Sequence, residues 1–411
     1  MTAAPLHIGF LTPEYVTSKS GDGGLANYLK KTAHALVARG HRVTIVLLAD
    51  GSKTWQDGPV EVQEVPWAGL PGFAARIPGF AALAPALRLY LSAGRMAAAV
   101  AKIHRARPFS LLQASSYCSP GLRLRGRVPV PVICRVSSYT PLWRSAYGRR
   151  RRFHELLTDW MEAKQVAGAD AAFAPSRFIS TAFARMEAVR PEVIPTPLES
   201  GAPERDASFY ETHLRGRPYL LFFGTLSYIK GIGVIAGALP RILAAHPDLR
   251  VAFIGRDDGT PGGEPAFRRI LDACPGMEAR LFHHPAIPKS KLIPVIAHAE
   301  GVLMPSLVDN YPNACLEAQA LGTPVVGSRD SSLDEMIADG ETGFLSDNGS
   351  PESLGDAVER LLALGTDAKA AMRRALALRI EAIRGEDRIG ALVAFYRRAI
   401  EAHGRNPGGR P

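Results

Sequence analysis

Hydrophobic positions along the chain fall into short unbroken runs, separated by longer stretches with helical spacing. The first run, Leu6–Thr12, reads as a buried strand. A glycine-rich loop follows from Lys19 to Gly24, then a helix over Leu25–Ala38 closed by Arg39-Gly40-His41, then a second buried strand over Arg42–Leu48. Apolar runs of about four to eight residues bounded by turn residues fit strands covered on both faces, and strand–helix–strand is the unit of a parallel sheet. Further strands are predicted at Leu111–Gln113, Pro131–Val136, Ala171–Ala174 and Val193–Pro195, with helices in the spacers. Residues 199–217 are polar and aperiodic, as a linker would be. A second series then begins, with a strand at Tyr219–Gly224, a loop to Gly231, a helix at Ile232–Ala245, a strand at Arg250–Gly255 and a loop at Arg256–Glu264. Strands at Ala279–His283, Gly301–Pro305 and Pro324–Gly327 follow, then helices at Pro351–Leu364 and Ala368–Arg379. An amphipathic helix over Ile389–His403 comes last, before a Gly/Pro/Arg tail expected to lack order. The pattern is α/β throughout, in two halves without an internal repeat.

Composition adds three constraints. With 411 residues there is enough chain for two full cores. No apolar run reaches the length of a membrane span, and Met1–Pro5 lacks the basic start of a secretory leader. Cys118, Cys134, Cys274 and Cys315 have neither C-x-x-C nor zinc-like spacing, which predicts reduced thiols and a cytoplasmic setting. Charge is uneven: residues 1–200 hold 25 Lys+Arg against 13 Asp+Glu, whereas residues 201–411 hold 24 against 26. No acid occurs between Glu64 and Glu155, a stretch with fourteen Arg and one Lys that includes Arg149–Arg152. Such a region attracts anions, whether lipid headgroups, a phosphorylated acceptor or nucleic acid; an Arg-rich composition with no specific partner is the alternative. Few aromatics interleave it and no nucleic-acid motif accompanies it, so nucleic acid is not expected. Residues 69–107 form an apolar, basic insert that reads either as a membrane-interface segment or, preferred because prolines break its face, as a loop followed by a core helix.

The most chemically pointed stretch is Asp309-Asn-Tyr-Pro-Asn-Ala-Cys-Leu-Glu317. Pro312 fits a first helical turn, and Gly322 and Pro324 stop the helix soon after. The amides around Asn313 and Ala314 lack partners inside the helix and sit at its positive end, which suits an anion. Glu317, one turn further, is placed to accept from neutral hydroxyls. Phosphate at one end and a diol nearby describe a nucleotide sugar; an ordinary amphipathic helix with a solvated Glu is the plainer reading.

Three features stand in one order: Thr12-Pro-Glu14-Tyr with Gly23-Gly24-Leu-Ala, Phe223-Gly-Thr-Leu-x-x-x-Lys-Gly231, and the Asp309-to-Glu317 motif. With them the chain resembles the retaining glycosyltransferases of family four over nearly its whole length. The resemblance implies the GT-B fold, two Rossmann-like domains facing each other across a central cleft. These would be an acceptor domain at 1–200 and a nucleotide-sugar domain at 201–388, with a final helix at 389–404 packing back onto the first. It implies that Lys230 touches the donor diphosphate, that Asn313 and Ala314 offer it amides, and that Glu317 binds the ribose. Asp309 would contact the donor sugar near the reacting carbon. Gly23 and Gly24 would let backbone approach the phosphate, and Thr225 and Gly255 would lie beside the nucleotide. Lys230, Asp309 and Glu317 are thus the expected catalytic set. Glu14, Arg135 and Ser137 are candidate sugar or acceptor contacts.

The chain departs from the family pattern at three places. The first acid is Asp309 where Glu is usual, Thr225 stands where Arg is frequent, and Ser137 lies near the expected catalytic-domain His, a role that Arg135 or Ser137 would have to fill. His283 and His284 read as structural or nucleotide contacts. With no Asp-x-Asp motif near the donor site, no metal or other cofactor is expected, and the leaving phosphate would take the acceptor proton. The expected partners are a nucleotide-sugar donor, a glycan, lipid-linked or small-molecule acceptor, and an anionic membrane surface at the inner face. The alternative is a non-catalytic GT-B scaffold, or a nucleotide-sugar-binding protein, docking on a membrane or partner.

Overall fold

The computed structural model describes residues 4–16, 23–70, 80–148, 151–198, 204–260 and 262–405, the side chain of Ala81 aside. The glycine loop at Lys19–Asp22, residues 71–79 of the insert, Arg149 and Arg150, the linker residues 199–203 and the tail after Arg405 lie outside them. The chain forms two compact units, Met1–Pro197 with Asp387–Pro411, and Leu198–Glu386.

The first unit contains β1 (His7–Thr12), α1 (Gly24–Ala38), β2 (Arg42–Ala49), β3 (Thr54–Asp57), β4 (Val60–Pro66), α2 (Phe80–Ala106), β5 (Leu111–Ser115) and β6 (Val132–Arg135). It continues with α3 (Thr140–Ala146), α4 (Phe153–Ala167), β7 (Ala171–Ala174), α5 (Arg177–Glu187) and β8 (Glu192–Val193). The sheet order is β3-β4-β2-β1-β5-β6-β7-β8, parallel except for β3. The β3–β4 hairpin was not expected from periodicity. Its two-residue turn, Gly58-Pro59 with Gly58 at φ 59°, is nevertheless a recognisable hairpin signal.

The second unit contains α6 (Ser208–His213), β9 (Tyr219–Phe223), α7 (Ile232–Ala245), β10 (Arg250–Ile254), α8 (Ala266–Ala273), β11 (Leu281–His284) and α9 (Lys289–Ala297). Then come β12 (Gly301–Met304), α10 (Asn313–Ala320), β13 (Val325–Ser328), β14 (Gly343–Ser346), α11 (Pro351–Leu362) and α12 (Thr366–Gly385). The helices α6, α8 and α9 and the strand β14 lie where no element was expected, α6 inside the stretch read as a linker, where Phe209 is buried. All six strands are parallel in the order β11-β10-β9-β12-β13-β14, the doubly wound Rossmann arrangement. Every residue of β9 is buried, because helices cover both faces.

The last helix, α13 (Arg388–Arg405), belongs to the first unit. Its Ile389, Leu392, Phe395, Tyr396 and Ala399 join α1 and the strands in one buried cluster. Fully burying such a side chain is worth about 1.5–3 kcal/mol. The Tyr396 hydroxyl donates to Gln113 Oε1 on β5 at 2.5 Å, with both groups buried.

Candidate functional site

In the second unit the strand order reverses between β9 and β12. Loops leaving the carboxyl ends of these two strands run opposite ways and open a crevice, which is where ligands bind in sheets of this kind. The loop after β9 passes Gly224 (φ 115°) and Thr225, makes one turn of 3-10 helix at Tyr228–Lys230, and ends at Gly231 (φ 78°). A Cβ on Gly231 would lie 1.9 Å from the Pro305 carbonyl oxygen, so glycine alone lets this loop press on the end of β12. The Leu307 amide donates to the Ile229 carbonyl at 2.8 Å and ties the two loops together.

This contact brings Lys230 Nζ to 2.6 Å from Asp309 Oδ2. Asp309 is buried, and its Oδ1 also accepts from the Asn310 amide at 2.9 Å. Tyr311 then takes a left-handed φ of 70°, held by its amide donating to Ser332 Oγ at 2.6 Å. A bulky residue in that region costs about 1–3 kcal/mol and persists only where its surroundings enforce it. Pro312 is the N-cap of α10, in extended backbone, and not part of the first helical turn as the sequence suggested. The helix therefore begins at Asn313, with Asn313 and Ala314 partly exposed in its first turn, and Gly322 follows its end at φ 76°. Glu317, also partly exposed, has its Oε1 3.4 Å from Lys289 Nζ at the start of α9. No sequence signal pointed to Lys289.

Gly255 serves packing. It has φ 152°, and a Cβ there would lie 1.9 Å from the Gly224 carbonyl oxygen. His283 Nε2 is 3.1 Å from the Gly255 carbonyl, and His284 lies against Phe209 with ring centres 4.9 Å apart. Asp257, in the loop expected at Arg256–Glu264, accepts the amides of Gly259, Ala266 and Phe267 at 2.7–2.9 Å and caps α8. Burial pushes its carboxyl upward, but these amides hold it below the usual range.

The other candidates lie in the first unit, where the strand order reverses between β1 and β5. Glu14 follows β1, and burial raises its carboxyl. A Cβ on Gly23 would lie 2.8 Å from Glu14 Oε2, so these two are neighbours, while Gly24 has open space around it. After β5, Cys118 and Ser119 are both left-handed, at φ 61° and 49°. The Cys118 amide donates to Glu162 Oε1 at 3.1 Å, and the Thr140 hydroxyl donates to Glu162 Oε2 at 2.5 Å. Burial lifts Glu162 to about 7 against the lowering effect of both bonds, and it pushes the Cys118 thiol up to about 12. Glu162, on α4, had no motif to announce it. Only the sheet topology brings it here.

Arg135 is a correction. Expected as a sugar or acceptor contact, it is only 5% exposed, with its guanidinium 3.7 Å from the centre of the Tyr28 ring. Burial lowers its pKa. The side chain faces α1 and the interior, where Tyr28 substitutes for an acid partner. Ser137 is partly exposed, and its amide donates to Ser116 Oγ at 3.1 Å. All four cysteines are free thiols. Among the described residues no three His, Cys, Asp or Glu side chains converge as a metal site requires, and no helix is long and apolar enough to cross a membrane.

Residues 23–198 match the family described as "Glycosyl transferase 4-like domain", and residues 217–364 match "Glycosyl transferases group 1". The chain belongs to the family-four glycosyltransferases. Among curated relatives of this family, the D-inositol 3-phosphate glycosyltransferase of Acidothermus cellulolyticus is 29% identical over 185 residues, which are 44% of this chain and 41% of that protein. The match thus spans less than half of that relative. Among solved structures, sucrose-phosphate synthase from Thermosynechococcus elongatus superimposes with a TM-score of 0.76 at 18% identity, covering 97% of this chain and all of that one. Anabaena Alr3699/HepE, solved in complex with UDP, gives 0.67 at 16% identity over 95% of this chain and 99% of its own. The fold is therefore GT-B, built from two Rossmann-like units.

Proposed function

We propose that this protein transfers a sugar from a nucleoside-diphosphate donor to an acceptor, with retention of anomeric configuration. The observation that carries the reading is the 2.6 Å pair of Lys230 and Asp309, which joins the two loops flanking the strand-order reversal beside the amino end of α10. Lys230 is drawn from Asp309 onto the diphosphate, where a fixed positive charge stabilises the leaving group as charge develops. The Asn313 and Ala314 amides take the adjacent phosphate. Glu317 leaves Lys289 to accept from the ribose hydroxyls, and Asp309 orients the donor sugar. The leaving phosphate oxygen takes the acceptor proton, so no side-chain base is required.

The structural neighbour solved with UDP supports a uridine donor as the first to test. The relative named for inositol 3-phosphate, together with the arginine excess of the first unit, supports an anionic acceptor, phosphorylated or lipid-linked. Thermal-shift measurements with UDP, GDP and ADP test the donor site, since a ligand that binds only the folded state stabilises it. Glu317→Ala should abolish the shift given by the best nucleotide; an unchanged shift sinks the site. Release of nucleotide from the matching donor separates an enzyme from a non-catalytic scaffold. Because Lys230 and the amides balance the diphosphate charge in this scheme, turnover should survive EDTA, and its loss would overturn that part.

A further inference from the structure

The helix α4 is built inside out. Its acids, Glu155, Asp159 and Glu162, are all less than 9% exposed. They serve the interior: Glu162 holds the turn after β5, Arg144 pairs with Asp159 and with Glu155, and Gln165 accepts the Gly121 amide. The opposite stripe carries Phe153 at 59% exposure, Leu156 at 47% and Trp160 at 59%, at spacings that place them on one face. Beside it packs α2, whose amino-terminal half also turns apolar side chains outward, with Leu83 41%, Leu87 36% and Tyr90 43% exposed. Two neighbouring helices with outward aromatic and aliphatic stripes make a surface that water alone does not explain.

The charge around these stripes names the occupant. Residues 65–154 contain no acid, and the acids of α4 are turned inward. Arg88, on α2, and Arg152, next to the start of α4, are exposed. Aromatic rings backed by aliphatic side chains and edged by arginines suit the boundary of a bilayer carrying negative headgroups. Half of the six outward side chains, Leu83, Leu87 and Leu156, have no ring on which a base could stack, so the surface suits acyl chains better than a nucleic acid. A symmetric second copy would set arginine against arginine. We propose that the outward faces of α4 and the first half of α2 dock this protein on an anionic bilayer. The proposal deepens the membrane-borne acceptor reading above and rests on it only for its biological purpose.

Co-sedimentation of the full chain with phosphatidylcholine vesicles, and with vesicles containing phosphatidylglycerol, tests it without donor or turnover. A failure here therefore leaves the transferase reading intact. Binding should be confined to the anionic vesicles, with a blue shift of tryptophan emission that Trp160→Phe removes. Phe153→Ser/Leu156→Ser should abolish binding while the nucleotide thermal shift stays as in the wild type. Arg88→Gln/Arg152→Gln should weaken binding roughly fivefold per charge removed. Equal binding to neutral vesicles overturns the proposal, as does wild-type binding by the Ser variant. So does a solution dimer that the Ser variant turns into a monomer.

Discussion

Replacing Lys230 by Met offers the sharpest test of the donor site. In the free protein the ammonium lies 2.6 Å from Asp309 Oδ2, with side-chain exposures of 31% for the lysine and 9% for the aspartate. Breaking a fully buried pair costs about 3–5 kcal/mol, because the remaining charge is left without its partner. Water reaching Lys230 and the Asn310 amide on Oδ1 relieve part of that, so the expected loss of stability is roughly 1–3 kcal/mol. Losing a charge-assisted bond to the diphosphate should cost another 1.5–3 kcal/mol or so, roughly a 10- to 150-fold weaker UDP affinity. The transfer rate should fall by about 10²–10³. A double-mutant cycle separates the two roles. Asp309→Asn added to Lys230→Met removes the stranded carboxylate, so urea denaturation should show stability recovering most of the way. UDP titration calorimetry should show affinity still lost, because Asp309 is assigned to the sugar and not to the diphosphate. If the double variant binds UDP within about threefold of the wild type, Lys230 merely neutralises Asp309, and the assignment of the diphosphate to it is wrong.

Gly231→Ala should destabilise the second unit by at least ~2 kcal/mol in urea denaturation and remove UDP binding, since its Cβ would lie 1.9 Å from the Pro305 oxygen at a left-handed φ. Glu162 titrates near 7 in the folded state against about 4.5 when free, so the native protein holds the extra proton and stability falls as pH rises from about 4.5 through 7. That decline amounts to about 3 kcal/mol, and Glu162→Gln should flatten it and stabilise the protein above pH 7; a Gln variant with the wild-type slope would show that another group is responsible. Tyr396→Phe should cost about 1–3 kcal/mol by stranding Gln113 in the core; a change below about 0.3 kcal/mol would mean the bond contributes little.

Much of this is legible in the amino-acid sequence. Strands buried on both faces are unbroken apolar runs, so Tyr219–Phe223 and Arg42–Ala49 could be read directly, and the motif helix announced itself through Pro312 and Gly322. β3 and β14 carry only Trp55 and the pair Phe344-Leu345 as apolar side chains, so no unbroken apolar run marks them. Lys230 and Asp309 were named separately from their motifs, but their 2.6 Å pairing depends on Gly231 pressing the loops together, which is a property of packing. Arg135 was misplaced for a related reason: a strand-end residue points either to the rim or to the interior, and only the Tyr28 ring beneath it decides which. Lys289 and Glu162 belong to helices whose partners are distant in sequence, so local spacing carries no trace of them.

The first unit is closed by residues made only after the whole of the second. Unit 2 is continuous from Leu198 to Glu386, whereas the first unit lacks the α13 side of its core until residues 388–405 have been synthesised. During translation the later-made half can complete its fold while the earlier-made half, with part of its hydrophobic interior uncovered, still waits. A ribosome that stalls just after Glu386 would thus release a chain whose second unit is sound and whose first unit is open to chaperones and proteases.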